Sequence, residues 1–189
     1  MDIHATQDLR NGELDRLREL VSIGAGHAAT AFALLTARPI WMGVPEVLPG
    51  ARPVPRASSG ADAWSTGVFF EFEGCLDALV GILFHAAASE AVVRRVVGIE
   101  EGELAPHVIE SALMEIGNIL ASHVASAIAD TLGERLLPSI PTLAMDRAEQ
   151  ELARFVALRG GRRPLRIEST LSDASGKLSG LLVMWPRVG

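Results

Sequence analysis

The chain has 189 residues, of which 49% are hydrophobic and 21% charged, with a formal net charge of −6 and a mean hydropathy of +0.28. So apolar a composition excludes a disordered tail, and the length fits one compact domain or two small halves sharing a core. A lone cysteine, Cys75, excludes an intramolecular disulfide framework and a cysteine-only metal site, and net acidity argues against a nucleic-acid partner.

A first helix is predicted over Leu9 to Thr36, with apolar Leu17, Leu20, Ile23 and Leu34 set among small residues. It holds the longest uncharged run, Leu20 to Ala37. Ser22, His27, Thr30, Thr36 and two glycines make that run a poor lipid-facing span. Met1 to Arg16 carries Asp2, Asp8, Glu13 and Asp15 and has no apolar signal core, so a cytoplasmic protein is expected. Ile40 to Val47 reads as a strand, at a sheet edge because it contains Pro45. Pro49 to Ala63 is rich in Pro, Gly and Ser and reads as a loop with at most one short helix. Thr66 to Glu73 and Leu79 to Phe84 form a predicted hairpin around Gly74, Cys75 and Leu76. Ala87 to Val97 is helical and closed by Gly98.

The second long helix runs from Pro106, a proline suited to the first turn, to Leu132, with Gly133 as its stop. Leu136 to Leu143 is again a short apolar segment with a proline, read as an edge strand. Ala144 to Leu158 is predicted helical, ended by Gly160-Gly161. Leu165 to Ser172 then pairs with Lys177 to Trp185 across the turn Asp173-Ala174-Ser175-Gly176. The sum is an α/β (α+β) fold with about six mostly antiparallel strands, three per half, covered by helices.

The halves are related in sequence. Glu19 to Pro45 and Glu115 to Pro141 share eight identities over 27 positions at a constant offset of 96. Alanines supply half of these, but Glu19/Glu115, Ile23/Ile119, His27/His123 and Pro45/Pro141 match in register. One domain, residues 1–189, with pseudo-repeat halves at about 9–98 and 104–186, is therefore expected. Because the pseudo-symmetry is internal, the expected state is a monomer.

Ser111, Glu115 and Asn118 stand at i, i+4 and i+7 and share one face of the second long helix, which Ser122 continues. Leu113, Ile116, Leu120, Val124 and Ile128 lie on the other side, as a core face requires. A carboxylate can pair with a cation, and a carboxamide three residues on can donate to and accept from a water. This pair suits the positioning of a nucleophilic water better than covalent catalysis.

The spacing Ser111-x3-Glu115-x2-Asn118-x22-Pro141 resembles the signature of the CheC/CheX/FliY family of chemotaxis response-regulator phosphatases, with CheC the nearest in length. Glu110 to Leu120 looks like the family's second motif, Leu17 to Ala31 like its first, and Gly43 to Val47 like the strand after it. The resemblance covers nearly the whole chain. It implies a CheC-like fold and a substrate: a CheY-like receiver domain with an aspartyl phosphate, its own Mg²⁺ and its own active-site lysine. It implies that Glu115 pairs with that lysine and that Asn118 holds a water in line with the P–O bond. It gives Ser111 a flanking role and Pro141 a structural one, with no cofactor or metal on this chain. The first copy reads Asp15-x3-Glu19-x2-Ser22-x22-Pro45. Serine there is shorter than asparagine and lacks one directed group, so this copy is expected to be degenerate. The family's pairing with CheD, a receptor glutamine deamidase, supplies the alternative: a binding module that docks a response regulator or CheD with little or no catalysis.

Other polar residues have plainer readings. His27 and His123 lack a second ligand at i+4 and are expected to be packed or hydrogen-bonded rather than metal-bound. Gly24-Ala25-Gly26 is read as a close helix contact, since no Lys-Ser/Thr follows to make a phosphate loop. Cys75 is expected to be incidental to any redox chemistry. Arg94-Arg95 and the cluster Arg159 to Arg166 are expected to be solvated, the latter able to attract an acidic partner.

Overall fold

The computed structural model describes residues 3–50, 64–159 and 165–187. The helices are α1 (Ile3–Thr36), α2 (Ala86–Val97), α3 (Pro106–Leu132) and α4 (Ala148–Leu158). The strands are β1 (Trp41–Met42), β2 (Glu46–Pro49), β3 (Trp64–Gly74), β4 (Ala78–His85), β5 (Leu136–Pro138), β6 (Thr142–Ala144), β7 (Leu165–Ser172) and β8 (Ser179–Pro186). All eight join one antiparallel sheet in the order β1-β7-β8-β4-β3-β5, with β2 also on β7 and β6 also on β3.

The order is unchanged when β1 exchanges with β5, β2 with β6, β3 with β7 and β4 with β8. The same exchange swaps α1 with α3, so the two long helices hold equivalent places. Strands among the described residues number eight rather than six because each proline-bearing segment is two strands with a break. The breaks fall at residues 43–45 and 139–141. Proline cannot donate to a ladder, so Pro45 and Pro141 sit where pairing lapses at opposite edges of the sheet. Each break is tied down locally. Gly43 N–H donates to Thr170 O at 2.8 Å and Ser169 Oγ–H to Gly43 O at 3.0 Å. Ser139 N–H donates to Glu71 O at 2.7 Å, and Glu71 N–H returns a bond to Ser139 Oγ at 3.0 Å.

The central strands explain the apolar composition. On β4 and β8, side chains pointing to either face are buried. One face, with Val80, Ile82, Phe84, Leu182 and Met184, packs on α1, α2 and α3. The other, with Leu79, Leu83, Leu181, Val183 and Trp185, packs on α4 and its Leu152 and Phe155. A sheet buried on both faces reads as continuous apolar runs, not as alternation. Among the described residues two helices are long and apolar enough to cross a membrane, Gly12–Thr36 and Pro106–Leu132, and both are these sheet-packing helices.

Several expectations shift. α1 begins before Leu9, and Leu34 is 76% exposed rather than in the core. Ala144 belongs to β6, and α4 starts only at Ala148, after a tight bend in which Asp146 has φ 66°. The loop expected over residues 49–63 lies, from 51 onward, outside the described residues, as do Gly160-Gly161. Arg166 is fully buried on β7 beside Glu168, two residues on and therefore on the same strand face. The basic cluster is thus not a uniformly solvated one; Arg159 is itself half-buried, paired with Glu71 at 2.7 Å.

Candidate functional site

α3 is set by its ends and by its buried stripe. Pro106 takes the first turn, where its missing N–H costs nothing. Gly133, at φ 69°, adopts the left-handed conformation that closes the helix, its N–H donating to Ala129 O. Leu113, Ile116, Leu120, Val124 and Ile128 are fully buried against the sheet and α1. That orientation leaves Ser111, Glu115 and Ser122 exposed and Asn118 half-buried on the outer face. Glu115 and Asn118 differ by about 4.5 Å along the axis and by less than a quarter turn. Among the described residues Glu115 has no ion-pair partner, and Asn118 makes no side-chain hydrogen bond. A carboxylate and a carboxamide are therefore presented together, both uncommitted.

The depth of this face is fixed by a residue that the spacing pattern passes over. A Cβ added to Gly117 would lie 2.6 Å from Val68 Cγ1 and 2.8 Å from Val68 Cβ. Glycine here lets α3 settle onto β3, and Asn118 is the next residue. A glycine inside a strong helical pattern was the available signal. The helix also runs beside β6: Leu143 pairs with Val68 and packs against the cluster that holds Leu113 and Ala112. Pro141, half-buried, lies two residues before Leu143 in the break that precedes β6.

The equivalent face of α1 is composed differently. Asp15 and Glu19 are exposed and Ser22 is half-buried, in the pattern of Ser111, Glu115 and Asn118. Arg18 stands where α3 has Met114, and its Nη1 pairs with Asp15 Oδ1 at 3.3 Å. Pro45 is buried, unlike Pro141. Gly24 gives α1 its close approach to α3: an added Cβ would meet Val124 Cγ1 at 2.9 Å. This is the close helix contact expected of the Gly24-Ala25-Gly26 stretch.

His27 and His123 are both exposed, with no hydrogen bond among the described residues, so neither is packed as expected. Both sit on outer helix faces, which the buried stripe dictates. No group of three His, Cys, Asp or Glu side chains could hold a metal among the described residues. Cys75 is half-buried in the β3–β4 turn, its N–H donating to Arg135 O at 3.0 Å. Burial and then the nearby Glu134 push its thiol pKa up, away from a reactive thiolate.

The fold is shared with solved chemotaxis proteins. CheX from Desulfovibrio desulfuricans aligns with a TM-score of 0.67 at 13% identity, over 89% of this chain and 99% of that one. Thermotoga maritima FliY aligns with a TM-score of 0.62 at 16% identity, over 93% and 89%. CheX in a CheX–CheY–BeF3–Mg²⁺ complex from Borrelia burgdorferi aligns at 0.64 and 14% identity, over 89% and 97%. Sequence similarity is more specific. The CheY-P phosphatase CheC of Bacillus subtilis is 33% identical over 143 residues, 73% of this chain and 68% of that protein. The CheC-like family profile matches residues 108–144, which carry the α3 face, Pro141 and β6. This chain belongs to the CheC-like family.

Proposed function

We propose that the chain is a cytoplasmic, monomeric phosphatase of a CheY-like response regulator, acting through the α3 face in the termination or adaptation of a chemotactic signal. Glu115 pairs with the lysine of the receiver's active site and sets the register of α3. Asn118 enters beside the aspartyl phosphate, and its carboxamide holds a water in line with the phosphorus–oxygen bond. Water attacks phosphorus, the bond to the aspartate oxygen breaks, and inorganic phosphate and a free carboxylate result. The Mg²⁺ that neutralises the phosphoryl oxygens belongs to the receiver. Phosphoryl transfer gains mainly from positioning and charge, so two side chains on one rigid helix suffice. Ser111 flanks the contact and Pro141 shapes the neighbouring edge.

The observation that carries this reading is the uncommitted Glu115 and Asn118 pair on a helix whose depth Gly117 fixes. The relationship to a CheY-P phosphatase supports the substrate class. The test is the decay of a phosphorylated CheY-like receiver followed with and without the purified chain at catalytic ratio. Accelerated phosphate release is expected; an unchanged decay contradicts the reading.

A second reading, docking of a CheD-like deamidase or of the receiver without hydrolysis, draws on the α1 face, where Ser22 replaces the asparagine while Asp15 and Glu19 stay exposed. Addition of CheD to the same assay separates the two: a pure adaptor binds CheD and leaves receiver decay unchanged.

A further inference from the structure

Among the described residues, the two most exposed large hydrophobic side chains are Ile140 at 89% and Val44 at 84%. They are separated by the repeat offset, so they occupy the same place in the two halves. Each directly precedes the motif proline of its half, in the break between the two edge strands. Ordinary exposed hydrophobics scatter singly and need no explanation. Two β-branched side chains held out at one repeated position, on backbone pinned by Ser139 and Gly43, are a different case.

Ile140 also stands at the level of the candidate site. Phe72 pairs with Pro138 and Phe69 with Thr142, so Ile140 lies across from Phe70 and Glu71 on β3. Val68, two to three residues back along β3, sits beneath Gly117. At the strand rise that is an offset of about 7–10 Å from the point where α3 touches the sheet. A globular partner seated over Asn118 extends much further than this. The break is anchored rather than loose: Ser139 bonds Glu71 through both its N–H and its side-chain oxygen, and Ser139 Oγ–H also donates to Ile140 O at 2.9 Å. An apolar side chain on a fixed backbone loses little freedom when it is covered.

We propose that Ile140 is the apolar anchor by which the second face grips the receiver domain, completing a contact whose polar half is Glu115 and Asn118. The inference rests on the phosphatase reading for the identity of the partner. Ile140 touches no reacting atom; it is a binding residue that sets affinity and leaves the chemical step alone. Val44 is the same device kept on the α1 face.

The experiment measures the Kd of a beryllofluoride-activated CheY-like receiver, and kcat and KM for its phosphorylated form, with Ile140→Asp, Ile140→Ala and Ile140→Val. Leu158→Asp is the matched control: Leu158 is 72% exposed, but it ends α4 on the other face of the sheet. Ile140→Asp is expected to raise Kd and KM about tenfold or more, with kcat within about twofold, as expected for a side chain buried only in the complex. Ile140→Ala falls between, Ile140→Val raises Kd by no more than about fourfold, the loss of one buried methylene, and Leu158→Asp matches the parent. Circular dichroism melting guards against unfolding, to which a side chain this exposed contributes little. If the parent binds and hydrolyses while Ile140→Asp does the same with unchanged Kd and KM, the anchor is wrong and the phosphatase reading stands. If the parent neither binds nor dephosphorylates a receiver, both fall together.

Discussion

At equivalent places α1 carries Asp15, Arg18, Glu19 and Ser22, and α3 carries Ser111, Met114, Glu115 and Asn118. The scaffold beneath them is shared: a buried stripe on each helix, a broken edge strand after each, and a sheet order that maps onto itself when the halves exchange. The polar groups above it are not all shared. Among the described residues the α3 glutamate has no ion-pair partner, whereas on α1 Glu19 follows Arg18, whose guanidinium leans back onto Asp15. A cation beside Glu19 competes with any partner lysine, and a hydroxyl at Ser22 cannot both donate and accept along the directions a carboxamide offers. One fold is therefore compatible with two different sequences, because buried apolar positions tolerate exchange of similar volume. A polar outer face has no such tolerance.

The two faces should separate clearly at their glutamates. Glu115→Ala is expected to raise KM for the phosphorylated receiver about tenfold to hundredfold, the loss from removing one partner of a close intermolecular charge pair. Glu19→Ala should leave steady-state turnover unchanged. Equal effects of the two would show that the halves are not divided as described. Gly117→Ala comes next. Its Cβ would collide with two Val68 side-chain atoms, so an overpacking cost of about 1–3 kcal/mol outweighs a helix-propensity gain of about 1 kcal/mol. The variant should melt several degrees lower and lose turnover as Asn118 is displaced. Gly24→Ala makes one such clash, with Val124 Cγ1 at 2.9 Å, beside ordinary contacts to Ile128 at 3.5 Å, and should melt closer to the parent than Gly117→Ala does.

Smaller effects probe what the α1 face lacks. Ser22→Asn combined with Arg18→Met is expected to raise turnover per chain, to at most about double if distant sites add independently. No gain would place the defect elsewhere, with buried Pro45 the next difference to exchange. Arg18→Met alone should change stability by less than about 1 kcal/mol, as expected for an exposed ion pair, and differential scanning calorimetry would detect a larger loss.

Much of this arrangement is legible before any coordinates. α3 runs between the two residues that mark it, Pro106 and Gly133, and the face of Ser111, Glu115 and Asn118 follows from helical periodicity. What is not legible depends on contacts distant in sequence. The fit of Gly117 over Val68 joins residues on separate elements: a glycine inside a helical pattern signals a close contact, but nothing local names its partner. Burial of Arg166 depends on Glu168 and on a strand enclosed by the sheet. The split edge strands look continuous because a proline and a strand end leave similar local patterns. Ala144 reads as helical because alanine favours helices, but pairing with Gly67 places it in β6. The histidine match between the halves was visible, yet its exposure was not, since periodicity alone does not fix how a buried stripe is rotated.

In the proposed mechanism hydrolysis depends on the carboxamide of Asn118 and on nothing at the equivalent place on α1. This dependence is tested by measuring receiver dephosphorylation at catalytic ratio with Asn118→Ala and Ser22→Ala, alongside binding to the beryllofluoride-activated receiver. Asn118→Ala should bind normally and lose turnover by about a hundredfold, the scale of a lost positioning group. Ser22→Ala should be indistinguishable from the parent. Retained turnover in Asn118→Ala, or its loss in Ser22→Ala, contradicts the account.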